Sequence, residues 1–181
     1  ANGIDDEIFA KLVALIRIAV PYTGMIVSTR ESQAVREKVL KLGISQISGG
    51  SRTSVGGYTE EERPTDTEQF DVSDQRTLDE VVHWLMDLGY IPSFCTACYR
   101  AGRTGDRFME LCKSKQIQNC CHPNALMTLK EYLMDYASAE TKAIGEALIQ
   151  AELNNIPKEN VRVICADHLK KIEEGIRDFR F

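Results

Sequence analysis

Apolar residues recur at helical spacing over residues 5–20, where Ile8, Leu12, Val13, Leu15, Ile16 and Ala19 follow Asp5, Asp6 and Glu7. Acidic groups there suit the positive end of a helix, and Pro21 stops the pattern. Residues 25–29 are short and β-prone. A second amphipathic helix is predicted over 32–42, with Gly43 in the C′ position that favours left-handed backbone, and 44–48 is a second strand. Helix and strand alternating at this spacing predict βα units of a parallel sheet or barrel. Residues 49–67 then read as a loop, holding Gly49-Gly50, Gly56-Gly57, Pro64 and Glu60 to Glu62. That is too long for a simple connector. A third helix is expected over 78–88, closed by Gly89, and 90–94 is a strand candidate. Beyond Gly105 the pattern is helical, over about 106–113, 125–137, 139–154 and 158–177, with Asn124 and Ser138 as N-caps.

Composition narrows the function classes. Hydrophobic residues make up 43% and charged residues 27%, which supports a buried core and excludes wholesale disorder. Lys and Arg number 22 against 27 Asp and Glu, a net charge of -5, which argues against a nucleic-acid face. The apolar stretch around 12–20 is broken by Arg17 and is too short to span a bilayer, so no membrane partner is expected. Acidic residues stand where a secretory leader would be basic, so a cytoplasmic setting is expected.

The chemistry lies in six cysteines, at 95, 98, 112, 120, 121 and 165, of which five fall within 27 residues. Such clustering points to metal binding or redox work rather than a disulfide framework. Cys95-x2-Cys98-x22-Cys121 admits three readings. A closed zinc site needs four ligands, with Cys120 or His122 as the fourth. A redox dithiol wants a helix straight after the pair, which Gly102 and Gly105 oppose. An iron–sulfur cluster takes thiolates, and three of them leave one iron of a four-iron cluster open. Arg100 and Arg103 could offset negative charge there, or could be solvated loop residues. Adjacent side chains diverge, so Cys121 rather than Cys120 is the expected third ligand, drawn from a loop ahead of a helix capped by Asn124. Cys112 and Cys165 read as small core residues, His83 as structural, and His168 as a surface residue. The motif Cys-x3-Cys-x2-Cys, which binds the cluster of radical S-adenosylmethionine (SAM) enzymes, is absent: Ile91 stands four before Cys95.

The run Cys95-Thr-Ala-Cys-Tyr-Arg-Ala-Gly-Arg-Thr-Gly-Asp-Arg-Phe-Met109, with Cys121-His-Pro-Asn-Ala-Leu126, closely resembles the HydG family of radical-SAM tyrosine lyases, which mature FeFe-hydrogenase. Val20-Pro-Tyr-Thr-Gly-Met, Gln46-Ile-Ser-Gly-Gly-Ser-Arg-Thr, Gly56-Gly-Tyr, Gln69-Phe-Asp-Val-Ser-Asp-Gln-Arg76 and Leu88-Gly-Tyr-Ile-Pro-Ser-Phe-Cys95 are similar to it too. The barrel portion is shared with the thiamine-pathway tyrosine lyase ThiH, which lacks the second cluster.

The resemblance implies an α/β fold. Residues 1–58 would be the last βα units of a radical-SAM (β/α)8 TIM barrel, and 59–181 a linker and mainly helical C-terminal iron–sulfur domain. It implies a 4Fe-4S auxiliary cluster with an additional iron, held by Cys95, Cys98 and Cys121, with Arg100 and Arg103 around it. SAM and a second 4Fe-4S cluster would belong to an N-terminal part outside this sequence, so this chain alone would be inactive. The implied activity is formation of CO and cyanide from tyrosine and assembly of an iron–carbonyl–cyanide synthon. Tyrosine and cysteine would be its small molecules, and HydE, HydF and the N-terminal part its protein partners. Substrate contacts are expected where barrel strands end, at Arg30, Gln46, Ser48, Ser51 and Arg52, an arginine pairing with tyrosine's carboxylate. The alternative is a non-catalytic module using zinc or an iron–sulfur cluster structurally.

Overall fold

The computed structural model describes residues 3–54, 56–59 and 70–181. Residues 55 and 60–67 of the expected loop lie outside them. The protein is a helix-rich α/β chain that divides into two compact units, Ala1–Leu78 and Asp79–Phe181. The expected division at 58/59 precedes this one. Among the described residues no helix is long and apolar enough to cross a membrane.

The first unit runs α1 (Asp6–Ala19), β1 (Ile26–Val27), α2 (Gln33–Lys41) and β2 (Gln46–Ile47). Asp5 caps α1 by accepting from the Glu7 amide, and Ser32 caps α2 through the Val35 amide. Gly43 has φ 101°, the left-handed stop expected after α2. Arg17 ties the ends of the two helices together, donating to the carbonyls of Gly43, Pro21 and Thr23. The strands pair in parallel, Ile26 with Gln46 and Val27 with Ile47, as the βα rhythm predicts. Both are shorter than the predicted five residues, since each has one neighbour among the described residues and the ladder closes quickly.

Ala10, Val13, Val27, Val35, Val39, Leu40 and Ile44 form the core of this unit. Within the helices, α1 and α2, Arg36 is fully buried, pairing with Asp74 and donating to the Ser48 carbonyl. The Asp74 amide bonds to the Thr29 carbonyl at 3.0 Å. One ion pair thus ties segment 74 to the chain leaving both strands. The apolar stripe of α1 is mostly uncovered: Ile8, Leu12, Leu15, Ile16 and Ile18 are exposed.

The second unit holds α3 (Leu78–Asp87), α4 (Ala97–Arg100), α5 (Gly105–Lys113), α6 (Gln118–Asp135), α7 (Ala139–Leu153) and α8 (Glu159–Glu173). Its core joins Val82 and Met86 of α3, Leu126, Leu129 and Leu133 of α6, Ile149 of α7, and Cys165, Leu169 and Ile172 of α8. Gly145 lets α7 approach α6, because a Cβ there would collide with Leu133. The Lys130 ammonium, 3% exposed, is held at 2.5 Å by Glu146 and 2.6 Å by Glu173, linking α6, α7 and α8.

Three local expectations are corrected. Residues 90–94 form no strand. Pro92 lacks a donor, and Phe94 instead stacks on Tyr132 at 4.9 Å while its amide bonds to Thr128. Helix α6 starts at Gln118, not after Asn124, so Asn124 is a buried interior residue. Pro123, the sixth residue of α6, forfeits the ladder bond its amide would make to Asn119, and the helix continues through it. The last helix ends at Glu173, followed by Gly175 at φ 94°.

Candidate metal centre

Two elements of the second unit bring the cysteines together. Cys95 precedes α4, and its Sγ accepts from the Ala97 amide at 3.4 Å. Cys98 lies inside α4, a single helical turn where the sequence argued against one. The Arg103 amide returns to the Cys98 carbonyl at 2.8 Å, and Gly102, at φ 62°, makes that tight return possible. Cys120 and Cys121 sit in the first turn of α6, not in a loop. There the amides of both bond to the Ile117 carbonyl, at 3.1 and 2.7 Å.

Adjacent positions on a helix point about 100° apart, and Cys120 is half-buried while Cys121 is exposed. Exposed as it is, the Cys121 thiol is crowded enough that desolvation lifts its pKa up to about 11, helped by the negative charge of Cys98, Cys95, Cys120 and Cys112. Five thiols therefore share one electrostatic neighbourhood. Among the described residues no three His, Cys, Asp or Glu side chains already stand in metal-ligand positions. Cys112, half-buried, joins the other thiols, whereas Cys165 is fully buried in the core as predicted.

The surrounding cations have definite partners. Arg100 forms a two-pronged pair with the Asp178 carboxylate, holding that carboxyl below the usual carboxylate range. Arg103 donates from Nη2 to the Phe181 carbonyl at 3.0 Å, and its Nε is buried without an acceptor among the described residues. His122 Nε2 lies 3.0 Å from a Glu152 carboxylate oxygen, an ion-pair distance without hydrogen-bond alignment. His168 is half-buried rather than a surface residue. Its ring stacks on Phe179 at 4.2 Å, and desolvation lowers its pKa. His83 contacts the Thr141 hydroxyl at 3.2 Å, in keeping with its structural reading.

The five substrate candidates belong to the first unit. Gln46 lies in β2; Ser48, Ser51 and Arg52 follow it, and Arg30 follows β1. Arg30 is exposed, with its guanidinium 3.9 Å from the centre of the Phe70 ring. The Arg52 amide donates to the Tyr58 hydroxyl at 3.1 Å. Sequence reasoning missed Arg36 and Asp74, although a charged residue within the apolar stripe of α2 was a usable signal. It also missed Asp178 and Phe181 as partners of the cysteine loop, and Asn124 as the partner of Phe181, which no local pattern announces.

Residues 1–91 match the family model described as the Biotin and Thiamin Synthesis associated domain. That stretch ends four residues before Cys95. The 2-iminoacetate synthases of Salmonella typhimurium and Escherichia coli are each 30% identical over 92 residues, covering 51% of this chain and 24% of theirs. Among solved structures, HydG, a maturase of the FeFe-hydrogenase, is 53% identical with a TM-score of 0.92, over 98% of this chain and 38% of that one. HydG from Carboxydothermus hydrogenoformans is 38% identical with a TM-score of 0.69, over 92% and 34%. The chain thus spans about a quarter of the curated relatives and just over a third of the solved ones. The HydG likeness, unlike the family match, runs through the cysteines. The chain is HydG-like, resembling the C-terminal portion of that maturase, and it belongs to the Biotin and Thiamin Synthesis associated domain family.

Proposed function

We propose that this chain is the C-terminal part of a radical-SAM tyrosine lyase. The whole protein would form CO and cyanide from tyrosine and assemble an iron–carbonyl–cyanide synthon for FeFe-hydrogenase maturation. One observation carries the reading: thiols from the α4 loop and the first turn of α6 share a neighbourhood in a chain 53% identical to HydG. Cys95, Cys98 and Cys121 are the proposed ligands of a 4Fe-4S auxiliary cluster with an additional iron. The donor chemistry fits. Thiolates suit iron–sulfur ligation, and a thiol raised by desolvation and then by the charge of its neighbours gives up its proton when a cation arrives.

When bound, the cluster would supply thiolate-held iron with one position open to an outside ligand. The chain's own residues would tune that site. The Ala97 amide supports the Cys95 sulfur, and the buried Arg103 Nε is an unspent donor beside the same loop. Arg100 adds positive charge partly offset by Asp178.

The first unit is proposed as the last βα units of a TIM barrel. Its parallel β1–α2–β2 arrangement and the uncovered apolar stripe of α1 support this. Arg30, Gln46, Ser48, Ser51 and Arg52 are proposed to face tyrosine, an arginine taking its carboxylate. The Arg36–Asp74 pair would position them from behind, by fixing the Ser48 and Thr29 carbonyls. SAM and the second 4Fe-4S cluster are assigned to the upstream polypeptide, and cysteine, HydE and HydF to the later steps, in a cytoplasmic setting.

Anaerobic iron and sulfide analysis of the reconstituted protein, with electron paramagnetic resonance after reduction, tests the reading. Sulfide of about four and iron of about four, or about five when the additional iron is also held, with a signal that shifts on adding cyanide, are expected for one 4Fe-4S cluster. Zinc without iron, and no signal, would establish the structural-metal alternative instead.

A further inference from the structure

The two arginines of the cysteine loop are engaged by one short segment, residues 176–181, which runs antiparallel to α6. Arg177 pairs with Asp135 at 2.7 Å, the Asp178 amide bonds to Glu131 at 2.7 Å, and the Phe181 amide bonds to the Asn124 carbonyl oxygen Oδ1 at 2.9 Å. Successive tail residues thus step along α6 from its C-terminal end toward Cys121. The Phe179 ring stacks on His168 of α8, and Phe179 and Phe181 pack against the unit's core. From this anchored tail two contacts reach across to the other cysteine-bearing element: Asp178 grips Arg100, and the Phe181 carbonyl accepts from Arg103. The backbone of Phe181 therefore bridges Asn124, three residues after Cys121, to Arg103, five residues after Cys98.

We infer that residues 176–181 are a strap that sets the spacing of the two cysteine-bearing elements, with Asp178, Phe179 and Phe181 as positioning residues for the thiol site. The metal-binding consequence rests on the cluster reading above; the strap itself does not. The geometry has a physical rationale. The α4 loop contributes only Ala97 to the buried core, and α5 contributes no buried residue. A loop with so little burial opens locally at low free energy unless contacts from elsewhere hold it. The charged and backbone contacts of the tail supply that hold, at Arg100 inside the Cys98 turn and at Arg103, which closes it. The left-handed backbone of Asp178, at φ 70°, turns the tail so that its carboxylate meets the Arg100 fork.

The test is thiol alkylation by iodoacetamide in the metal-free, reduced chain, followed residue by residue with mass spectrometry. Cys165, wholly buried in the core, serves as the internal reference. Asp178→Lys, which sets a third cation against Arg100 and Arg180, and Phe179→Ala, which removes the apolar anchor, should each speed alkylation of Cys95 and Cys98 by about threefold to tenfold, as expected for a loop freed to open locally. The Cys165 rate should stay unchanged. Pairing Arg100→Glu with Asp178→Lys should return Cys95 and Cys98 toward the original rate, which a general loss of stability would not do. Unchanged Cys95 and Cys98 rates in Asp178→Lys overturn the strap, as does failure of the charge swap to restore them. Should Phe179→Ala also speed Cys165, the core has loosened and the exposed Asp178→Lys variant decides alone. A second arm follows iron loss to a chelator after reconstitution, which should also quicken in Asp178→Lys. Wild-type protein that takes up no iron would sink the cluster reading, while the alkylation result would still decide the strap.

Discussion

A thiol raised to about 11 by crowding and by four neighbouring sulfurs is protonated at neutral pH, so Cys121 becomes a ligand only when a cation displaces its proton. Cys120, one position away, lies on a different side of the helix. Serine at 95, 98 or 121 should therefore remove most of the iron taken up on reconstitution, while Cys120→Ser should leave it near wild type. Iron counting on the four variants checks this, and loss with Cys120→Ser but not Cys121→Ser would reverse the assignment. Cys165 is a different case, raised to about 11 by burial alone. Its thiol ionises near its ordinary 9.0 in the unfolded chain, so between those values the unfolded state holds fewer protons and stability falls as pH rises. The loss should approach roughly 2–3 kcal/mol by about pH 11. Denaturant unfolding across that range should show the decline in wild type and a shallower one in Cys165→Ala. Identical slopes would mean that Cys165 is not the titrating group.

Helix α6 shows how interactions between elements overrule local signals. Cys121-His-Pro-Asn reads as a helix boundary, since proline and asparagine mark starts and stops. The structure carries the helix through it, because Asn124 spends its side chain on Phe181 and the helix beyond is buried by Leu126, Leu129 and Leu133. The cap at Ser138, the acidic start of α1, the start of α2 near Ser32 and the glycine stops at 43 and 89 were legible because each acts within a few residues. The Cys-x2-Cys…Cys set was legible from spacing, but the tail that engages Arg100 and Arg103 comes from some 78 residues away and leaves no periodic trace. Close packing of α7 on α6 is equally invisible until both helices are placed. It carries its own test at Gly145. Alanine has the higher helix propensity, which would stabilise an open site, yet its Cβ would meet Leu133 here. Overpacking should dominate, so Gly145→Ala should destabilise the second unit by about 1–3 kcal/mol in chemical denaturation. A neutral or stabilising result would show that Leu133 gives way at little cost.

At the scale of the whole molecule, the function proposed above would give the two units different tasks, each shared with further polypeptide. The first unit presents a two-stranded parallel edge and leaves Ile26 65%, Ile18 78% and Leu15 62% exposed. In the barrel reading proposed above, further chain would cover this apolar surface on the strand and its neighbouring helix. The second unit gathers five thiols but carries no Cys-x3-Cys-x2-Cys, and neither does the rest of the 181 residues. Reductive cleavage of SAM in the proposed chemistry requires a cluster on that motif. The purified chain, given tyrosine, SAM and a low-potential reductant, should therefore release no p-cresol even when its own thiols hold iron. Adding an upstream polypeptide that bears the motif should restore p-cresol only if the two parts associate, which chromatography of the mixture would register independently. p-Cresol from the chain alone, with no upstream polypeptide present, would place radical chemistry on residues of this sequence and overturn the division of labour proposed here.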